Sequence, residues 1–125
     1  MIYGTGIDIV QISRVEKALE RWGDRFLRRV FTRSEIAYCH DKAHAAARFA
    51  LRFAAKEAFS KAIGLGFGEG LGLRQIEVIR DSKGRPYLSL HGKSKELCQE
   101  FGIKRSFVSL SDDGLYAIAI VILEV

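Results

Sequence analysis

The chain has 125 residues, which is enough for one domain with a single hydrophobic core. Its 48% apolar and 28% charged residues exclude a disordered chain, and no apolar run approaches the roughly 20 residues that a membrane span needs. The formal charge of +5 at pH 7 favours an acidic partner or a phosphorylated ligand. We therefore expect one domain over residues 1–125 and no membrane partner.

The cysteines and the first residues of the chain indicate its cellular compartment. Two cysteines, Cys39 and Cys98, are too few for a disulfide framework and lack the CxxC spacing of a zinc site. The start, MIYGTGIDIV, has neither the basic leader nor the small-residue cleavage site of a signal peptide. A reduced, cytoplasmic protein is the simplest expectation.

The first predicted element is a strand over residues 2–10, in which Gly4, Gly6 and Asp8 share one face. The two glycines remove side chains around the aspartate, so another element or a ligand can approach it closely. A carboxylate between two isoleucines also needs a partner if it is buried. Asp8 is therefore the first candidate for a functional residue.

A basic segment follows the strand. A capping box of Ser13 and Glu16 predicts a short helix that ends near Gly23, and residues 24–30 continue as a helical or turn-like piece. Three acidic residues between positions 11 and 33 oppose seven basic ones, which are Arg14, Lys17, Arg21, Arg25, Arg28, Arg29 and Arg33. Such a segment is typical either of a solvated helix surface or of a docking site for an acidic partner.

A long helix is the central predicted element. A second capping box, Thr32 with Glu35, begins a shorter helix through Tyr38 or His40, and the long helix then runs from about Ala43 to a stop at Gly64. Apolar residues at helical spacing predict one buried face, made of Leu51, Ala55, Ala58, Phe59 and Ala62.

A neighbouring face of the long helix carries Phe53, Glu57 and Lys61, each four residues from the last. Spacing alone favours an exposed Glu57–Lys61 ion pair, which contributes a few tenths of a kcal/mol. The second carboxylate at Asp8 changes this interpretation, because two carboxylates with phosphate oxygens and water are a common ligand set for Mg²⁺. Lys61 would then supply positive charge to a phosphate at the same place.

Residues 64–72, GLGFGEGLG, contain five glycines and predict either a flexible connector or a loop that covers a ligand. They match neither a dinucleotide fingerprint nor a P-loop, because no GxGxxG opens a helix and GK[ST] is absent.

The second half of the chain predicts paired strands. Residues 75–80 and 86–90 form one hairpin, Ser94 caps a helix that ends at Gly102, and a second hairpin joins residues 105–110 to 115–123. The predicted order is β-α-α-α-β-β-α-β-β. Hairpins rather than βαβ units indicate an α+β fold, with a mostly antiparallel sheet packed around one long central helix.

Five segments carry a resemblance to a known family: GIDIVQISRVEK, FTRSE, RFAAKEAFSKAIG, DSKGRPY and SLSDDGLYAIAIVILE. They resemble the holo-[acyl-carrier-protein] synthases, the short bacterial type of 4′-phosphopantetheinyl transferase, from Gly6 to Glu124. The resemblance implies transfer of 4′-phosphopantetheine from coenzyme A to a serine of apo acyl carrier protein in fatty acid biosynthesis, with release of adenosine 3′,5′-bisphosphate. It also implies a homotrimer whose active sites lie between subunits.

The same resemblance assigns roles to individual residues. The magnesium ligands fall on Asp8 and Glu57, and the catalytic residues on Glu57 and Lys61, with Glu57 as the first candidate for the base. Coenzyme A binding falls on Arg52, Lys61 and Gly64. With an acidic carrier protein as partner, the basic segment supplies the carrier-binding residues, which are Arg14, Lys17, Arg21, Arg25 and Arg28.

One position departs from the family pattern, since Asp112 stands where many members have histidine. An aspartate repels a phosphate unless a metal or an arginine lies between them, so we assign no nucleotide contact to Asp112.

Two other functions compete with the enzyme. The first is a basic nucleic-acid-binding module, although the strand KRSFVSL lacks the glycine and the second aromatic residue of the RNA-recognition signature. The second is a trimeric scaffold that only binds coenzyme A. Neither needs two carboxylates beside a lysine, so we expect no nucleic-acid partner.

Overall fold

A computed structural model of the chain describes residues 1–40 and 42–125 as five strands, five α-helices and one short 3₁₀ turn. In chain order these are β1 (Ile2–Gln11), α1 (Ile12–Trp22), α2 (Asp24–Val30), α3 (Arg33–His40), α4 (Ala45–Ile63), the 3₁₀ turn (Leu73–Gln75), β2 (Ile76–Arg80), β3 (Pro86–Leu90), α5 (Gly92–Glu100), β4 (Arg105–Asp112) and β5 (Tyr116–Glu124). The α+β class and the long helix at its centre are thereby confirmed.

The strands form two antiparallel units. A three-stranded sheet has the order β1-β5-β4, and β2 with β3 makes a separate hairpin. Gly6 lies opposite Val121 and Asp8 opposite Ala119, so the carboxylate projects from the sheet face that packs on α4. The prediction of one sheet is therefore refined to a sheet and a hairpin.

Helix α4 lies unusually close to β1, and the two glycines of the strand explain why. A Cβ atom placed on Gly6 would lie 1.8 Å from the Ala58 carbonyl oxygen, and one on Gly4 would lie 2.1 Å from that of Ala62. Alanines on the helix and glycines on the strand thus let two backbones touch. This contact sets the distance between the strand that carries Asp8 and the helix that carries Glu57.

The structure has one more helix before β2 than the sequence predicted. The segment DRFLRRV forms its own helix, α2, separated from α1 by Gly23 with φ of 53°. Leu27 and Val30 of α2 are buried, so tertiary packing holds this two-turn helix in place.

One predicted capping box is confirmed and the other is wrong. The Thr32 backbone N–H donates to Glu35 Oε1 at 2.9 Å, and the Glu35 N–H donates to Thr32 Oγ1 at 3.3 Å. By contrast, α1 begins at Ile12 after Gln11, without a side-chain cap. The strand runs straight into this helix, and the Ile12 N–H donates to the Leu115 carbonyl at 2.9 Å instead.

The prediction that Ser94 caps α5 is also wrong. The helix begins at Gly92, and the Ser94 hydroxyl is buried, donating to the carbonyls of Gln75 and His91. The side chain of Gln75 supplies the cap, because its Oε1 accepts the Ser94 N–H at 3.0 Å. A residue distant in sequence has replaced the local cap.

The long helix begins at Ala45, two residues later than predicted, since His44 adopts a left-handed backbone with φ of 58°. Its end is as predicted, with Gly64 in the left-handed region at φ of 85°. Within residues 1–40 and 42–125, no helix has both the length and the apolar character to cross a membrane.

Candidate active site

Asp8 and Glu57 meet at one cavity, although 49 positions separate them in the sequence. Asp8 comes from the α4-facing side of β1, and Glu57 from the edge of α4. Both line a cavity of about 320 Å³ between β1, α1 and α4. The fold thus brings together the two carboxylates that the sequence singled out.

Lys61 joins them from one turn farther along α4. Its Nζ donates to Asp8 Oδ1 at 3.2 Å and to the Ile7 carbonyl at 2.9 Å. The Asp8 side chain is 17% exposed and that of Lys61 is 54% exposed, so an incoming anion has access to the ammonium group. The sequence predicted a Glu57–Lys61 pair as the alternative, but the partner of Lys61 is Asp8.

The charge state of Glu57 depends on its surroundings in the cavity. Burial and the nearby Asp8 carboxylate raise the pKa of Glu57, and Lys61 only partly opposes this shift. Negative charge is therefore under-compensated here, and a bound cation would be stabilised at this place.

The donor set fits magnesium. Among the described residues, no third Asp, Glu, His or Cys joins these two carboxylates. Mg²⁺ keeps much of its hydration and completes its shell with substrate phosphates, so two carboxylates at the mouth of a cavity are sufficient protein ligands. Asp8 and Glu57 would hold the ion, with Lys61 beside it.

The rest of the cavity is mostly apolar and leads to the basic segment. Its walls include Val15 and Ala18 of α1 and Phe53 of α4, with Arg14 at its edge. Phe26 lines this cavity and also a second one of about 660 Å³, whose other lining residues are Trp22, Arg25, Arg28 and Arg29. The cavity that holds the carboxylates and the cavity lined by the arginines of α2 are therefore neighbours.

All five predicted carrier-binding residues are exposed on α1 and α2: Arg14, Lys17, Arg21, Arg25 and Arg28. Trp22 is an exposed residue of the same surface that was not predicted: it is 48% exposed, and the guanidinium of Arg21 lies 4.9 Å from its ring centroid. An exposed tryptophan between arginines is the signal that could have identified it.

The predicted coenzyme A ligands do not all converge within one subunit. Gly64 ends α4 one turn beyond Lys61, on the exposed side. Arg52 is nine residues before Lys61, which places it about 180° around the helix. Coenzyme A binding by Arg52 stays a prediction.

Arg52 is buried rather than at the solvated edge of α4. Its side chain is 1% exposed, its guanidinium lies 4.6 Å from the ring centroid of Tyr38, and Nη1 donates to the Arg48 carbonyl at 3.4 Å. Arg48 and Asp112 line a separate cavity of about 420 Å³, so an arginine lies near the aspartate that departs from the family pattern.

Comparisons with known proteins identify the family of the chain. The sequence profile of the 4′-phosphopantetheinyl transferase superfamily matches residues 4–121. The chain is 53% identical to the holo-[acyl-carrier-protein] synthase of Geobacter metallireducens, over 99% of this chain and 98% of that protein.

Solved structures show the same fold. The Neisseria meningitidis holo-[acyl-carrier-protein] synthase superposes with a TM-score of 0.90 at 34% identity, covering 99% of both chains. The Helicobacter pylori holo-[acyl-carrier-protein] synthase in complex with coenzyme A has a TM-score of 0.85 at 39% identity, covering 96% of this chain and 99% of that one. The chain therefore belongs to the holo-[acyl-carrier-protein] synthase family of the 4′-phosphopantetheinyl transferase superfamily.

Proposed function

We propose that this chain transfers 4′-phosphopantetheine from coenzyme A to a serine of apo acyl carrier protein in a magnesium-dependent reaction of fatty acid biosynthesis. The observation that supports it most is the meeting of Asp8 and Glu57 at one cavity, with Lys61 bonded to Asp8. The family match and the coenzyme A complex of the Helicobacter pylori relative support the same chemistry.

In the proposed reaction, the serine oxygen forms a bond to the β-phosphorus of coenzyme A and the pyrophosphate bond breaks. Adenosine 3′,5′-bisphosphate leaves with the electron pair, so no oxidant or reductant is needed. Magnesium held by Asp8 and Glu57 would neutralise charge on the pyrophosphate oxygens.

The side chains of the chain itself position the substrates. The exposed ammonium of Lys61, already held at the cavity by Asp8 and Ile7, adds positive charge beside the pyrophosphate. Glu57 accepts the proton of the serine hydroxyl, directly or through a water molecule.

The basic surface of α1 and α2 is the proposed docking site for the acidic carrier protein. Arg14 lines the carboxylate cavity itself, and Lys17 and Arg21 extend along the same helix. Docking there would bring the carrier serine toward Glu57. Complementary charge raises the association rate and fixes orientation more than it adds to affinity.

Reversal of two arginines tests this docking site. Arg14→Glu with Arg21→Glu should raise the KM for the carrier protein at least about tenfold and weaken the salt dependence of kcat/KM, because repulsion replaces attraction. The Kd for coenzyme A should change less than about twofold, because the phosphates are held elsewhere. Kinetics over a range of salt and a coenzyme A titration check this, and equal losses in both would assign the arginines to the nucleotide.

We further propose a homotrimer with active sites between subunits. The sheet face that points away from α4 is apolar and exposed: Ile7 is 55%, Ile9 62%, Phe107 48% and Ile120 39% exposed. Ile7 lies directly opposite Ile120 in the pairing of β1 with β5, so the patch is continuous across strands. An apolar patch of this kind is typical of a subunit interface.

Charge placed on this face should break the assembly. Ile120→Arg should give a monomer by light scattering and lose most activity, whereas Gln99→Arg on the exposed side of α5 should leave three times the mass of one chain. A fully active wild-type monomer at assay concentration would contradict both the trimer and the shared site.

A cytoplasmic location is part of the same proposal. It is supported by the two buried free cysteines, Cys39 and Cys98, which suit a reducing compartment.

The function itself is tested by product release. Incubation of the chain with coenzyme A, apo carrier protein and Mg²⁺ should release adenosine 3′,5′-bisphosphate, measured by chromatography, in proportion to the carrier consumed. Omission of the carrier or of Mg²⁺ should stop the release. Release that needs no carrier would indicate a hydrolase instead.

A further inference from the structure

A buried ammonium group lies directly beside the candidate active site in the chain. Lys56 precedes Glu57 on α4, and its side chain is 0% exposed. Its Nζ donates to Glu35 Oε1 at 2.7 Å, to the Ile76 carbonyl at 2.6 Å and to the Leu73 carbonyl at 3.0 Å. All three donors of the ammonium are thus used, which is the condition under which a buried charge is tolerated.

Both oxygens of the partner carboxylate, Glu35, also accept hydrogen bonds from backbone N–H groups. Glu35 Oε1 also accepts the Thr32 N–H at 2.9 Å, and Oε2 accepts the Val78 N–H at 3.0 Å. The Lys56–Glu35 pair therefore joins the start of α3, the middle of α4 and the start of β2. Burial lowers the pKa of Lys56, and the Glu35 carboxylate opposes that shift.

The two carbonyl acceptors of Lys56 stand at the far end of the glycine-rich loop, residues 64–72. They belong to Leu73, which begins the 3₁₀ turn, and to Ile76, which follows that turn. At the near end of the loop, the N–H groups of Gly64 and Leu65 both donate to the Ser60 carbonyl. Both ends of the loop are therefore held by α4, through residues one turn apart.

The span between these two ties has few internal hydrogen bonds, and its anchor in the core is Leu71, which is 2% exposed. Its internal contacts include a hydrogen bond from Gly68 to the Leu71 carbonyl at 3.3 Å and one from the Gln75 side chain to the Gly70 carbonyl at 3.2 Å. Gly68 and Gly70 have positive φ values, which other residues rarely adopt. The exposed residues 68–70 can therefore move while Leu71 and the two ends of the loop stay fixed.

We propose that Lys56 is a positioning residue, which clamps the far end of the glycine-rich loop to the helix that carries Glu57 and Lys61 so that the loop covers bound coenzyme A. This inference rests on the proposed function, since it names coenzyme A as the ligand beneath the loop. Apolar residues of similar volume would fill the same space at lower desolvation cost, but they would not fix two backbone carbonyls in place.

The test uses a paired variant that keeps the fold. Lys56→Met alone leaves the Glu35 carboxylate buried without its ammonium partner, whereas Lys56→Met with Glu35→Gln removes both charges and keeps an acceptor for the Val78 N–H. In the paired variant, amides of residues 65–76 should exchange hydrogen at least about tenfold faster than in wild type, with β1 and β5 unchanged.

Kinetics separate positioning from a general loss of stability. The paired variant should raise the KM for coenzyme A about tenfold or more, with kcat within about threefold of wild type and the carrier KM unchanged. Leu123→Ala, a buried change in β5, is the control that lowers stability without raising the coenzyme A KM.

Two outcomes would overturn the positioning role. One is a paired variant with the wild-type coenzyme A KM and wild-type loop exchange, and the other is a pattern of losses that matches Leu123→Ala. A wild-type chain that modifies no carrier protein would overturn the proposed function instead. Loop exchange, measured in the free protein and with coenzyme A alone, then still decides whether Lys56 holds the loop.

Discussion

Replacement of Gly6 by alanine should lower the Tm by about 10 °C or more and remove nearly all transfer activity. The new Cβ would lie 1.8 Å from the Ala58 carbonyl oxygen and 2.8 Å from the Ala62 nitrogen, and both are backbone atoms of α4. Neither atom belongs to a flexible side chain, so β1 must move off the helix. Asp8 is two residues farther along the same strand and would move with it.

A matched glycine replacement separates this clash from the general effect of adding a methyl group. A Cβ on Gly66 would meet nothing within 4 Å, and that residue does not have a positive φ, so Gly66→Ala should leave the Tm within about 2 °C of wild type. Thermal unfolding followed by circular dichroism measures both. A Gly6→Ala protein with wild-type Tm and activity would contradict the close packing of β1 on α4.

Asp8→Asn and Glu57→Gln should each lower kcat/KM on the order of 100-fold or more, because each removes one charged magnesium ligand while keeping side-chain volume. The Mg²⁺ concentration that gives half-maximal activity should rise in parallel. Calorimetric titration of Mg²⁺ into the protein with coenzyme A present gives an independent reading. Glu96→Gln, an exposed change on α5, is the control and should behave as wild type.

The folded protein should survive these changes. The pKa of Glu57 is raised in the folded state, so protonated Glu57 contributes to the stability of the fold at low pH. This contribution is lost as the pH rises through that pKa. At neutral pH without metal, Glu57→Gln should therefore unfold at the same free energy as wild type or a higher one. Urea titration in a chelator checks the sign, and normal turnover at limiting Mg²⁺ would contradict the two-carboxylate site.

Much of this site could be predicted from local spacing. Glu57 and Lys61 share a helix face because they are one turn apart, and Gly64 ends the helix because it adopts a positive φ. Asp8 could be added because glycines beside it leave room for a neighbour. The sequence alone could not show that Lys61 bonds to Asp8 rather than to Glu57, because the partner of Lys61 depends on how β1 packs on α4.

The buried charges could not be predicted in the same way. Lys56 and Arg52 recur at the spacing of an apolar stripe, yet their partners lie in other elements or on ring faces. The two capping predictions that failed have the same cause. At Ser13 and Ser94, a tertiary hydrogen bond set the helix start, whereas the Thr32–Glu35 box is satisfied within its own turn.

The central claim is that Asp8 and Glu57 serve the transfer of phosphopantetheine to a carrier serine, and intact-protein mass spectrometry tests it most directly. Apo acyl carrier protein incubated with the chain, coenzyme A and Mg²⁺ should gain the mass of one phosphopantetheinyl group. A carrier whose acceptor serine is replaced by alanine should gain none, and Asp8→Asn should slow the gain on the order of 100-fold. An unmodified carrier after incubation with folded wild-type protein, or equal modification by Asp8→Asn, would contradict the account.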